Sequence, residues 1–194
     1  IKKLLEGSPT KIAAEVSTDQ GQVDFSAAVL KAKQSGADAM FAYVNEEESA
    51  RLLRELRKQG WDKPIIGETT LAGAKVIELA GNAAEGIISH VGLTVEAPAL
   101  QEFGRKYKAA FNTVSDHNGV KGYTGVYVLK AAIEKAGNFD PKAAAAAIRN
   151  SCFSAKQHPG ILMDVCFDDK GDLDRESYMV TVKNGKAVVA ETLP

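Results

Sequence analysis

The sequence predicts an α/β fold, a parallel sheet flanked by helices, with a C-terminal antiparallel hairpin. Two observations carry that reading. Three apolar stretches, KIAAEV before Ser17, AMFAYV before Asn45 and PIIG before Glu68, each end in a short polar cluster ahead of a helical pattern. Strands of a parallel sheet are buried on both faces and read as continuous apolar runs, while the crossover helices carry the amphipathic pattern. The tail, by contrast, alternates apolar and polar residues on either side of Asn184-Gly185, the strongest short-range hairpin signal.

In chain order, residues 1–6 read as the end of a helix stopped by Gly7-Ser8-Pro9, and Lys11 to Val16 as a strand. Asp24-Phe25 opens a helix with Phe25, Ala28, Val29 and Ala32 at helical spacing, ended by Ser35-Gly36. Ala37 to Val44 is the next strand. Asn45 caps a helix through Gln59 with Ala50, Leu53 and Leu56 inward, and Gly60 ends it. Pro64 to Gly67 is a third strand, Thr70 or Gly73 opens a helix toward Leu79, and Gly86 to Leu93 is a fourth strand. Helices follow over 97–111, from Gly122 to Ala136, and from Pro141 through Arg149, the last begun by an Asp140-Pro141 cap.

With 194 residues, 45% of them hydrophobic, and a net charge of -1, the chain can bury a substantial core. That balance argues against nucleic acid as a partner, which needs Lys and Arg gathered on one face. Arg51, Arg54, Arg57 and Lys58 do gather, but behind Glu46, Glu47 and Glu48 on one helix, an order that complements the helix dipole and reads as a solvated face. No apolar run approaches the ~20 residues of a membrane span. The chain opens at Ile1 inside helical sequence, which suggests a mature or trimmed piece and leaves the compartment open.

Reactive chemistry is sparse. His90, His117 and His158 have no metal-ligand spacing, and Asp168-Asp169-Lys170-Gly171-Asp172 places a lysine where calcium needs an oxygen, so no metal or other cofactor is expected. Ser115, Asp116 and His117 are triad residue types, but sequence neighbours cannot form that geometry and read as a polar loop. Cys152 and Cys166 are the only cysteines. Either they are buried free thiols, or they close a loop of about 15 residues, which stabilises by roughly 3 kcal/mol in the chain-entropy account.

Ligands of open α/β sheets bind outside the carboxyl ends of the strands. That rule singles out Asn45, Glu68, Thr69 and Thr70, with Tyr123 as a ring wall bearing a polar tip. Each has a plainer role beside it: a helix cap for Asn45, turn and cap positions for Thr69 and Thr70, core packing for Tyr123. Glu68 is placed to meet a cationic or hydroxylated ligand.

Four blocks, GADAMFAYVNEEESARLLRELRKQGW, PIIGETTLAGAKVIELAGNAAEGIISHVGLT, GYTGVYVLKAAIEKAGNFD and FDDKGDLDRESYMVTVKNGK, run in order through nearly the whole chain. Together they resemble the extracytoplasmic solute-binding proteins of branched-chain amino acid ABC transporters. The resemblance implies a type I periplasmic-binding fold that closes two lobes over a small solute, no catalysis, a periplasmic or extracytoplasmic location, and a membrane permease as partner. The solute implied is a branched-chain or other amino acid, or a related carboxylate or amide. The alternative is an effector-sensing domain of a regulator or receptor on the same fold, since fold does not decide function.

In these terms residues 1–96 resemble the second-lobe α/β unit, 97–158 a helical segment crossing toward the first lobe, and 159–194 the return strand and hairpin. Most of the first lobe and the leading strand of the second have no counterpart here, and with them the Ser and Thr groups that grip an α-carboxylate. That suggests a homodimer, strand exchange or a rearranged sheet. The family's contact after the AMFAYV strand falls on Asn45. Its acid after the PIIG strand falls on Thr69, which is neutral, so either Glu68 substitutes or the solute lacks an ammonium group.

Overall fold

The computed structural model describes residues 1–92, 98–174 and 177–193. They form two compact units, Ile1–Val91 with Met179–Glu191, and Gly92–Tyr178 with Thr192–Pro194.

The first unit opens with α1 (Lys2–Leu5), α2 (Ser26–Gln34), β1 (Met40–Ala42), α3 (Glu46–Lys58) and β2 (Ile65–Gly67). A 3-10 turn over Thr69–Ala72 leads into α4 (Ala74–Ala80), and a second over Gly81–Ala84 leads to β3 (Ile88–Val91). β1 pairs with β2 in parallel, Ala42 opposite Gly67, and β2 with β3 in parallel, Gly67 opposite Ser89. Parallel neighbours need crossovers, and α3 and α4 supply them. Val29 of α2, Leu53 and Leu56 of α3 and Val76 of α4 are fully buried together with Ile65 and Ile87, so the apolar stripes of the helices meet the apolar strands in one core.

Two expectations need correction in this unit. Lys11 to Val16 joins no ladder, although its composition is that of a strand. A strand exists only where a neighbouring backbone takes up its hydrogen bonds, and composition cannot supply the neighbour. Nor is the basic face of α3 merely solvated. Arg54 donates to the Leu79 carbonyl at the C-terminal end of α4 at 2.8 Å, and Arg57 donates to the carbonyls of Trp61 and Glu85, each at 2.9 Å. These guanidinium groups tie α3 to the loops beneath it. Arg51 does form the expected pair with Glu47, at 3.0 Å.

The second unit contains α5 (Pro98–Phe111), α6 (His117–Ala136), α7 (Pro141–Ile148), β4 (Ser151–Phe153), β5 (Val165–Phe167) and β6 (Leu173–Asp174). The helix expected from Gly122 begins at His117, because Asp116 caps it, accepting the Gly119 N–H at 2.9 Å. β4, β5 and β6 form an antiparallel sheet in which Cys152 lies directly opposite Cys166. The two are joined as a disulfide. Val128, Ala131 and Ala132 of α6 pack on Phe153, Ile161 and Val165. The Asp168–Asp172 stretch is a turn held by one carboxylate, which accepts the Lys170 N–H at 2.9 Å and the Asp172 N–H at 2.8 Å.

Two final strands, β7 (Ser177–Lys183) and β8 (Lys186–Leu193), return to the first sheet, whose order is β1-β2-β3-β7-β8. Asn184 and Gly185 between them both have positive φ, 52° and 71°, the backbone that a tight two-residue hairpin turn demands. The fold is thus the expected one: a parallel sheet flanked by helices and finished by an antiparallel hairpin.

Candidate functional site

β1 and β2 end side by side, so the residues that follow them emerge together at one edge of the sheet. Tyr43, Val44 and Asn45 leave β1, and Glu68 and Thr70 leave β2. With Thr18, Asp19, Gln20 and Glu48 they line a hollow of about 320 Å³.

Gly67 sets how tightly the β2 exit is drawn. A Cβ built there would stand 2.6 Å from Leu71 Cδ2 and 2.9 Å from the Ala42 carbonyl oxygen, so only glycine admits the turn against β1. Glu68 then caps the 3-10 turn, one carboxylate oxygen accepting the Thr70 N–H at 2.9 Å. Its main-chain carbonyl accepts the buried Ser89 hydroxyl at 2.6 Å, which fastens it to β3.

Asn45 is the N-cap of α3, and Glu48 one turn on reaches back to accept its N–H at 2.9 Å, as in a capping box. Glu48 is buried. Its other oxygen accepts the Gly21 N–H, and that hydrogen bond, the largest influence, with those from Asn45 and the nearby Arg51 charge, holds its pKa below the ordinary carboxylate value despite burial. Glu48 therefore stays ionised and locks the 19–21 loop to the start of α3. Tyr43 is 75% exposed, a ring standing at the mouth of the hollow.

Of the sequence-predicted residues, Asn45, Glu68 and Thr70 meet here. Thr69 turns to β3, its hydroxyl donating to the His90 carbonyl at 3.0 Å. Tyr123 lies in the second unit, on α6, between Phe103 and Tyr127 with ring centroids 5.0 and 5.1 Å away. A hydrogen bond with Tyr127 raises its pKa. Residue-level reading passed over Tyr43, Glu48 and the 18–20 loop. The Glu three residues after Asn45 was a legible signal for the first helix turn, but nothing local signals that residues 18–20 return to it.

The lining holds three carboxylates, those of Asp19, Glu48 and Glu68, and no basic side chain. Such a surface accepts hydrogen bonds and positive charge. It brings no nucleophile against a base, and among the described residues no group of three His, Cys, Asp or Glu side chains could hold a metal ion. Among them, too, no helix is long and apolar enough to cross a membrane.

A periplasmic binding protein family model matches residues 2–187. This chain belongs to that family. Periplasmic binding proteins are non-catalytic, serve ABC transport, and work in the periplasm or its extracytoplasmic equivalent. The chain is 28% identical over 181 residues to a leucine-, isoleucine-, valine-, threonine- and alanine-binding protein of Pseudomonas aeruginosa, which covers 93% of this chain and 47% of the relative. A leucine binding protein of Thermotoga maritima superposes with a TM-score of 0.74 at 27% identity, over 89% of this chain and 49% of that one. The isoleucine complex of a branched-chain amino acid transporter substrate binding protein from Streptococcus pneumoniae superposes with a TM-score of 0.78 at 26% identity, over 99% and 55%. The chain thus spans about half the length of the curated relatives it matches.

Proposed function

We propose that this periplasmic binding protein chain forms one wall of a solute site, that the solute is an amino acid, and that the loaded protein delivers it to the membrane permease of an ABC transporter. Residues 1–96 act as the second-lobe unit, 97–158 as the crossing segment and 159–194 as the return. The observation that carries the reading is the convergence of Asn45, Glu68 and Thr70 around one hollow at the carboxyl ends of two adjacent parallel strands.

Glu68 takes the solute's ammonium group. Thr69, where the resemblance places the family's acid, is occupied with the His90 carbonyl, whereas Glu68 lines the hollow and has an oxygen beyond the one bound to Thr70. Asn45 adds a polar contact and Tyr43 a ring face in this reading. The carboxylates of Asp19 and Glu68, on a lining with no basic side chain, favour a solute that presents an amine over one that presents only an anion.

Titration calorimetry of the full-length gene product with leucine, and with benzoate as the amine-free comparison, tests this. Micromolar leucine binding, lost by at least tenfold in Glu68→Ala and absent for benzoate, is the expected result. Benzoate binding tighter than leucine, or leucine binding indifferent to Glu68→Ala, overturns it.

A further inference from the structure

The sequence holds two Asn-Gly pairs, Asn118-Gly119 and Asn184-Gly185. Such a pair is chemically labile, because a glycine nitrogen has no neighbouring side chain to keep it from the asparagine Cγ. In both pairs a carboxylate takes the glycine N–H. Gly119 donates to Asp116 Oδ1 at 2.9 Å, inside the first turn of α6. Gly185 donates to Glu85 Oε1 at 2.6 Å, and Asn184 donates to the other Glu85 oxygen at 3.0 Å.

The two carboxylates differ in origin. Asp116 belongs to the same helix cap as the pair it holds. Glu85 comes from 100 residues away, and its segment is fastened to β7 by the Gly86 N–H, which donates to the Val182 carbonyl at 3.0 Å. Asn184 and Gly185 are themselves exposed, so water and a proton acceptor reach them. Whether Glu85 is present on Gly185 therefore depends on the folding of the first unit, whereas Asp116 needs only its own helix turn.

Deamidation starts when the Gly185 nitrogen gives its proton to hydroxide or a buffer base and attacks Asn184 Cγ. A bond forms between that nitrogen and Cγ, the bond from Cγ to the side-chain amide nitrogen breaks, and ammonia leaves after taking a proton from water. Water then opens the cyclic imide. Attack at the side-chain carbonyl gives aspartate, and attack at the main-chain carbonyl gives isoaspartate. Glu85 opposes the first step in two ways. It holds the proton-bearing nitrogen in a charge-assisted hydrogen bond, and its negative charge disfavours a second one forming on that nitrogen. Lys183 and Lys186 flank the pair, so the sequence neighbours left when Glu85 departs are basic and favour that charge.

We infer that Asn184-Gly185 is a modification site gated by folding: Glu85 suppresses its deamidation while the hairpin is docked, and undocking releases it. The conversion then holds itself open. Aspartate at 184 brings a negative charge to the residue whose N–H Glu85 accepts, and isoaspartate lengthens the main chain of a tight two-residue turn. Either product weakens the Glu85 contact, so a molecule that has opened keeps a covalent record of it.

The test is peptide mapping by mass spectrometry of the full-length gene product, aged at mildly alkaline pH, with aspartate and isoaspartate counted at 184 and at 118. Glu85→Ala should accelerate conversion at Asn184 at least fivefold and leave Asn118 unchanged. Glu85→Gln, which keeps an acceptor oxygen without the charge, should fall between and serves alone if the alanine variant does not fold. Val182→Ala loosens β7 in the buried core but leaves Glu85 in place, and should accelerate Asn184 less than Glu85→Ala does. In urea, where the hairpin is undone, wild type and Glu85→Ala should convert at one rate. Slower or equal conversion in both Glu85 variants overturns the proposal, the slower case showing the carboxylate to act as a base. So does equal acceleration by Val182→Ala, or a difference between wild type and Glu85→Ala that persists in urea. The solute reading stands or falls separately, on leucine and Glu68.

Discussion

The Glu85 carboxylate accepts the main-chain N–H of Asn184 at 3.0 Å, and with its other oxygen that of Gly185 at 2.6 Å, across 99 and 100 residues of chain. One side chain before β3 thus holds the tip of the β7–β8 hairpin. Arg57 in turn holds the Glu85 main chain through its carbonyl at 2.9 Å, so the late hairpin and the early helix α3 are fastened at one point.

Glu85→Ala leaves both turn amides to water and should cost about 1 kcal/mol, the net worth of an ordinary hydrogen bond at a solvated turn. Hydrogen exchange at Asn184 and Gly185 should accelerate, with little change at Val29 in the core of the same unit. Unchanged exchange at the turn would remove Glu85 from this role.

Gly67→Ala tests the drawn-in exit of β2. The added Cβ meets Leu71 and the Ala42 carbonyl oxygen inside 3 Å, and a main-chain oxygen in a ladder cannot swing aside. A loss of about 1 to 3 kcal/mol in denaturant unfolding, the cost of overpacking, is expected. Solute affinity should fall with it, since Glu68 is the next residue.

Glu48 supplies a pH signature. Its folded-state pKa is depressed below the ordinary value of 4.5, chiefly by the Gly21 N–H. It therefore contributes stability that is complete above that ordinary value and is lost as the pH falls through the lower folded-state value. Glu48→Gln removes the contribution. Melting curves from pH 7 to pH 3 should show the wild-type chain well above the variant at neutral pH and the two converging in acid. A gap that stays constant with pH would show that ionisation of Glu48 is not what matters.

The disulfide between Cys152 and Cys166 joins facing residues of β4 and β5 with a sequence separation of 14. For a loop of that size the chain-entropy account gives about 3 kcal/mol. Reduction, or Cys152→Ser with Cys166→Ser, should lower the melting temperature of the second unit. The first unit, whose core contains neither cysteine, should keep its own transition. A single transition shifted as a whole would instead indicate that the two units unfold together.

Much of this was legible before any coordinates. The apolar runs before Asn45 and Glu68 are strands because both their faces are buried, and Asn184-Gly185 is a hairpin turn because few other pairs tolerate two positive φ values. Asn45 was legible as a cap, and Asn45, Glu68 and Thr70 as edge residues, since the period of a strand tells where it stops. Thr69 shows the limit: its neighbours Glu68 and Thr70 line the hollow, but its own hydroxyl is claimed by a carbonyl of β3, 21 residues on. Arg54 and Arg57 show the same limit, being basic by composition and structural by the carbonyls they meet.

What the amino-acid order determined by itself is local: where helices cap, where strands end, which turn closes the tail, and which polar side chains stand at the carboxyl edge. Tertiary structure alone decided that the 18–20 loop joins that edge, that Glu48 is buried yet ionised, and that Lys11–Val16 stays out of the ladder among the described residues. Period and capping are properties of a few consecutive residues, readable from spacing. A hydrogen bond between distant segments depends on which backbone arrives beside which, and only the packed core settles that.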